Sequence, residues 1–234
     1  MKILVVLAHP DDEAFGPGGT LSRYSLTGHT VRLATLTHGE AGTLGPAQHL
    51  TRPELARLRA EELRCSAQAL HLSALEIYPL PDGRLAELPL EQGLAIVRKE
   101  IETFLPDAII TFHAGGISGH PDHQTAARWC LQAVRERTNP PRLFAFGLSA
   151  EQARRIRHRK LDPIPDPEIT HVIDVSQYLD YKFSAIRCHQ SQAEGWERMK
   201  SVEGGILSHL RYEHFSQVWP APDRQGRAER FEDY

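Results

Sequence analysis

The sequence predicts a single α/β domain: a Rossmann-like, doubly wound, mostly parallel sheet with helices on both faces. Short apolar runs alternate along the chain with longer segments whose apolar residues recur at helical spacing. Several of these runs are apolar almost throughout rather than at every second position, as in strands covered on both sides. Strands that alternate with helices imply parallel pairing through right-handed crossovers.

Residues 3–8 form the first such run and predict a buried strand. A helix over 18–27 follows, stopped by Gly28, and then a strand over 31–37. Leu55, Leu58, Leu63 and Leu70 mark a helix over 53–72, with Pro53 in its first turn, where a missing N–H costs nothing. Strands are expected at 75–80, at 108–112 after Pro106-Asp107, at 143–147 and at 169–175. Helices are expected at 90–104, 123–137 and 178–190. The basic segment 154–160 and the Pro-rich segment 162–168 read as a solvated helix end and a surface loop. Residues 1–219 make up the domain, and the polar tail 220–234 is expected to be loosely packed or used in contacts between copies of the chain, as in a homo-oligomer.

At 234 residues the chain can bury a substantial core. A net charge of −3 lacks the basic face that nucleic acid requires. Cys65, Cys130 and Cys188 are odd in number, far apart and form no CxxC pair, which argues against a disulfide framework and a Cys-rich zinc site. They read as buried free thiols in a reducing cytoplasm. The run 3–8 is too short for a leader or a membrane span, and no later stretch is long enough to cross a bilayer.

Two clusters of ionisable residues stand out. Ala8-His9-Pro10-Asp11-Asp12-Glu13 follows the first strand, and Gly119-His120-Pro121-Asp122-His123 follows the fourth. One block alone reads equally well as a surface turn, since His, Pro, Asp and Gly are all turn formers. In the common 3-2-1-4-5 strand order, however, strands one and four are neighbours, and the ligand crevice opens between their carboxyl ends. The two blocks then converge and offer the mixed nitrogen and oxygen donors of a catalytic zinc site, with carboxylates and imidazoles left over for proton transfer. A dinucleotide site is disfavoured, because Asp11, Asp12 and Glu13 stand where phosphates would lie and Gly16, Gly18 and Gly19 do not match the G-x-G-x-x-G spacing. No P-loop is present. Adjacency alone leaves open whether Asp11 or Asp12 is the ligand.

The two blocks resemble the signatures of the PIG-L/LmbE-like zinc N-deacetylases, a family that acts on N-acetylglucosaminyl lipids and on sugar precursors of mycothiol and bacillithiol. Thr37-His38-Gly39-Glu40, Arg59 with Glu62-Leu63, Asp82-Gly83 and His189-Gln190-Ser191-Gln192 also resemble family motifs. The resemblance implies that His9, Asp12 and His123 hold zinc, that Asp11 is the general base, and that His120 is the general acid or electrostatic stabiliser. It implies that Asp122 orients one of these groups. It further implies Glu40, Arg59 and Asp82 as contacts to sugar hydroxyls, with His189 lining the pocket or capping a helix. Some sugar-thiol deacetylases carry a Tyr two residues before the first His of the second block; Ser118 stands there in this chain and is expected among the substrate contacts.

The expected activity is zinc-dependent removal of the acetyl group from a small N-acetylglucosamine-type conjugate. The same two-His, one-carboxylate set also suits Fe²⁺. The competing readings are an amidase acting on a non-sugar amide or thiol conjugate, and a non-catalytic metal- or sugar-binding module.

Overall fold

The computed structural model describes residues 1–45, 49–156, 160–194, 197, 205–222 and 226–233. Seven strands form one sheet in the order β3-β2-β1-β4-β5-β7-β6. They are β1 (Lys2–Leu7), β2 (Thr30–Thr37), β3 (Ala74–Leu80), β4 (Ala108–Phe112), β5 (Arg142–Gly147), β6 (His171–Asp174) and β7 (Tyr212–Trp219). β1 to β5 pair in parallel, and β7 runs antiparallel between β5 and β6. The expected 3-2-1-4-5 order is therefore observed, with two strands added at the β5 edge.

The helices are α1 (Asp12–Phe15), α2 (Gly18–Leu26), α3 (Arg52–Ala69), α4 (Leu90–Phe104), α5 (Gly116–Gly119), α6 (Pro121–Arg135), α7 (Ala150–Arg155), α8 (Leu179–Cys188) and α9 (Ile206–Leu210). α2, α3 and α8 pack together, and α4 packs with α6. Between these layers β1 is buried from Ile3 to Leu7, which explains its unbroken apolar run. Local chemistry sets the helix ends. Thr51 and Glu54 close a capping box ahead of α3, satisfying N–H groups that the first turn leaves unpaired. α4 stops at Leu105, in left-handed conformation ahead of Pro106. Gly93 lets α4 approach α6, since a Cβ there would meet the Trp129 ring at 2.2 Å. One carboxylate, Glu100, is fully buried on α4; Arg32 donates to it at 2.7 and 3.2 Å and the Tyr78 hydroxyl donates as well.

The structure departs from the sequence reading in four places. β7 was not anticipated, because its buried positions include Glu213, Ser216 and Gln217 and break the apolar run. The tail is not loosely packed over its described part. Phe231 is fully buried, stacks on Phe144 and Tyr24, and donates its backbone N–H to the Tyr24 hydroxyl at 2.7 Å. In addition, Cys65 and Cys188 form a disulfide with Cα atoms 5.7 Å apart, leaving only Cys130 as a buried free thiol, which burial pushes up to about 12. Their separation of 123 residues hid the fact that α3 and α8 lie side by side. The inference of a reducing compartment from free thiols falls with this correction.

The fourth is the segment after β5, which is more than a solvated loop. Ile156 and Ile164 are buried, and Asp162 N–H donates to Ile117 O at 2.7 Å. Residues 157–159 of the basic stretch lie outside the described residues. Among the described residues no helix is long and apolar enough to cross a membrane.

Candidate metal centre and active site

The two ionisable blocks leave adjacent strands at the same sheet edge, since β1 and β4 are hydrogen-bonded neighbours. The turn after β1 is sharp: Asp11 has φ 110°, a left-handed conformation that Asp tolerates better than most residues. Glu13, fully buried, holds it there by accepting Asp11 N–H at 3.0 Å. The Glu13 carboxylate also accepts from Ser66 Oγ at 2.5 Å and His189 Nε2 at 2.7 Å. From the other side Arg59 donates to Asp11 Oδ2 at 3.1 Å, to Gly39 O at 2.6 Å and to Pro10 O. Gly39 is required here: its φ is +71° and a Cβ would meet Arg59 Nη1 at 2.4 Å.

After β4 the chain kinks at Ile117, whose φ of 66° is rare for a β-branched residue, and α6 begins at Pro121. His120 caps α6, its Nδ1 accepting Asp122 N–H at 3.2 Å. In the neutral ring the proton therefore sits on Nε2, which makes that nitrogen a donor. Asp122, fully buried, accepts from Gly83 N–H at 2.8 Å and Leu85 N–H at 2.9 Å. His123 stacks flat on Phe112 with ring centroids 3.9 Å apart.

These turns bring three donors together. His9 Nδ1 lies 3.4 Å from Asp12 Oδ2 and 3.2 Å from His123 Nε2, which in turn lies 3.2 Å from Asp12 Oδ1. His9 Nε2 is 3.1 Å from both Asp82 Oδ1 and Asp122 Oδ2, so its proton belongs there and Nδ1 presents a lone pair. His123 Nδ1 lies 3.1 Å from Gly116 O, which likewise turns an Nε2 lone pair inward. Two lone pairs and a carboxylate facing one another repel unless a cation lies between them. Their spacing matches the edge of a tetrahedron with zinc–ligand bonds of 2.0–2.1 Å, about 3.3 Å. The residues therefore fit a divalent metal. A ring nitrogen of His120 also lies within 4.8 Å of the donors of His9 and His123.

The charges of these groups act on one another, and metal binding would compete with protonation of His9. Desolvation would lower the His9 imidazole, but hydrogen bonds to Asp12, Asp122 and Asp82 outweigh it and hold the ring well above its ordinary value. Desolvation would raise Asp12, yet His123 and His9 hold it well below the usual carboxylate range. Asp11 is pushed up to about 6 by burial, against the pull of Arg59. His120 is lowered, first by burial and then by His123 and His9.

A cavity of about 340 Å³ opens beside these groups, lined by Asp11, Asp12, Ser118 and His123 at its near end. Of the five expected substrate contacts, Ser118 is the one in this lining. Arg59 is buried and bound to the Asp11 turn. Glu40 Oε1 accepts Asp82 N–H at 2.9 Å, and Asp82 faces His9 while its Oδ2 accepts Ala41 N–H at 2.7 Å. His189 caps the end of α8 and is buried against Glu13. His113, which shares the β4 loop, lies 3.5 Å from Glu168 and lines a second cavity instead. The sequence reading gave no role to Glu13, Lys182 or the far wall of the cavity. Glu13 stood inside the first cluster, and its burial was the missing signal.

Residues 4–134 match the family model described as GlcNAc-PI de-N-acetylase, PIG-L. The chain belongs to the PIG-L family. The match spans both ionisable blocks. Among PIG-L relatives, the 1D-myo-inositol 2-acetamido-2-deoxy-alpha-D-glucopyranoside deacetylase of Saccharomonospora viridis is 32% identical, over 81% of this chain and 84% of that one. A probable N-acetyl-alpha-D-glucosaminyl L-malate deacetylase 2 of Bacillus subtilis is 30% identical, over 84% and 85%. The fold is also that of GalB, the 4-carboxy-2-hydroxymuconate hydratase from Pseudomonas putida KT2440, with TM-score 0.70 and 19% identity over 96% of this chain and 99% of that one. At that identity the likeness concerns the fold alone, and the site must decide the chemistry.

Proposed function

We propose that this chain is a zinc-dependent N-deacetylase that hydrolyses the acetamido group of a small N-acetylglucosamine conjugate, releasing acetate and a free amine. The observation that carries the reading is the convergence of His9 Nδ1, Asp12 and His123 Nε2 within 3.2–3.4 Å of one another, beside Asp11 at the cavity wall. The inositol and malate glucosaminides named for the two relatives are the substrate types this reading brings to the chain.

His9, Asp12 and His123 would hold the ion. Zinc, when bound, supplies a Lewis acid that polarises the amide carbonyl and acidifies a water to a pKa near 7 (about nine units below bulk water). Asp11, fixed by Glu13 and Arg59, takes the proton from the attacking water. His120, with its Nδ1 committed to the α6 cap, donates a hydrogen bond from Nε2 to the developing oxyanion, and the proton that Asp11 has taken passes to the departing amine as the C–N bond breaks. Asp122 and Asp82 orient His9 through its Nε2 proton. Ser118 lines the cavity where some relatives of the sugar-thiol branch carry Tyr, so the hydroxyl it offers is short.

Incubation of metal-assayed protein with N-acetylglucosaminyl inositol, N-acetylglucosaminyl malate and N-acetylglucosamine tests this reading. Release of a primary amine and acetate in equal amounts is expected. Metal-loaded protein inert towards all three would refute it.

A further inference from the structure

Arg59, Glu62 and Ser66 follow one another at helical spacing on the buried face of α3. Each holds a different part of the site. Arg59 donates to Asp11 Oδ2. Glu62 accepts Ser191 N–H and Ser191 Oγ, both at 2.6 Å. Ser66 Oγ donates to Glu13 Oε1 at 2.5 Å. The same oxygen accepts from Nε2 of His189, at the end of α8, at 2.7 Å. Glu13 Oε2 takes the backbone N–H of Asp11. The base is therefore positioned from two helices that converge on one carboxylate.

Cys65 immediately precedes Ser66, and Cys188 immediately precedes His189. Their disulfide joins α3 to α8 at the residues next to the two donors of Glu13 Oε1. Packed helices shear past one another by small amounts, and a covalent bond at this point fixes Ser66 against His189. The gain is in rate, since a base displaced by about 1 Å can cost about 10²-fold. The bond is also within reach of reagents in solution. Cys65 is exposed and Cys188 half-buried, whereas the free thiol Cys130 is buried and takes no part.

We propose that the Cys65–Cys188 disulfide is a redox-sensitive positioning bond for the base, with the oxidised form the faster enzyme. A dithiol supplies the two electrons. Its thiolate attacks Cys65 Sγ, the S–S bond breaks towards Cys188, and the released sulfur takes a proton. The second thiolate of the reductant then displaces Cys65 as a thiol and closes the reductant's own disulfide. Reduction frees α3 from α8, which loosens Glu13 and with it Asp11. The cavity wall at Gln192, whose Nε2 donates to Thr43 O at 3.0 Å, stays tied to α3 through Glu62 and Ser191. Rate should fall while substrate binding holds. The role rests on the deacetylase reading above and deepens it.

The test compares oxidised zinc-loaded protein with protein reduced by tris(2-carboxyethyl)phosphine, which leaves as its oxide. Both are assayed on the fastest of the three substrates named above, where circular dichroism shows both folded. Reduction is expected to lower kcat by about tenfold with KM and zinc content unchanged, and oxidised glutathione should restore it. Cys65→Ser combined with Cys188→Ser should have the rate of the reduced enzyme and ignore the phosphine. In Glu13→Gln, where the link to Asp11 is already weakened, reduction should cost less than in the wild type. Deuterium exchange at the Asp11 amide should be faster in the reduced wild type, a readout independent of turnover. Equal kcat in the two folded forms would overturn the role and leave the disulfide a stabilising cross-link only. An undiminished effect in Glu13→Gln would also overturn it, since the bond would then act elsewhere. No amine release from the oxidised zinc-loaded protein on any of the three substrates would instead refute the deacetylase reading, and the positioning role with it.

Discussion

The carboxylate of Glu13 accepts the backbone N–H of Asp11 at 3.0 Å and fixes that residue at φ 110°. Glu13 is fully buried and does not itself line the cavity, so it acts through Asp11. Glu13→Ala removes the acceptor for Asp11 N–H, Ser66 Oγ and His189 Nε2 together. It is expected to lower kcat by about 10²-fold with little change in KM, because a misplaced base costs rate more than binding. Glu13→Gln, which keeps one carbonyl acceptor, should recover much of the loss. A fall in KM-dependent binding with kcat unchanged would show that the turn does not position the base.

Asp122 supports the metal site from behind, with its Oδ2 3.1 Å from His9 Nε2. Asp122→Asn should weaken metal affinity by about 10–100-fold, the usual cost of losing a carboxylate behind a ligating imidazole. Competition with a metal-binding dye measures it. An unchanged affinity would mean that Asp82 alone orients the ring.

The Cys65–Cys188 disulfide closes a long loop between α3 and α8, and Cys65 is exposed. Cys65→Ser is therefore expected to destabilise the fold by about 2–4 kcal/mol, mainly by freeing the unfolded chain. Denaturant midpoints with and without reductant check this: the wild type should fall to the variant's value on reduction, and the variant should not respond.

Acid should weaken the fold from about pH 6.5 downwards. Burial lowers His171, His209 and His214 to about 4. The unfolded chain binds protons at these rings below its pKa of about 6.5, whereas the folded chain does not, so the stability is present above that value. It is lost progressively as pH falls from about 6.5 towards 4. Urea midpoints between pH 7.5 and 4.5 should fall steadily, and less steeply in His171→Asn. A flat profile would show that these rings are protonated in the fold.

Much of this was legible in the sequence, for reasons that also mark where legibility stops. β1, β4 and β5 announce themselves because both faces are covered and most residues are apolar. The 3-2-1-4-5 order then brings His9 and Asp12 to His123, and the structure places them together. β7 was hidden because Glu213 is buried as a partner of Lys182 rather than as an apolar residue. Glu40, Arg59 and Asp82 have the chemistry of sugar contacts, but a sequence does not show that they are turned towards one another and towards His9. The disulfide depends on a contact between helices that no spacing rule encodes.

The central claim is that His9, Asp12 and His123 hold a metal and that Asp11 works beside it as the base. The most direct test compares wild-type protein with Asp11→Asn, since Asn tolerates the left-handed backbone of this turn. Metal content and amine release from an N-acetylglucosaminyl conjugate are measured on the same samples. The account predicts about one zinc per chain in both proteins and a loss of turnover of about 10³-fold or more in the variant alone. Unchanged turnover in Asp11→Asn, or a metal-loaded wild type that releases no amine, would contradict it.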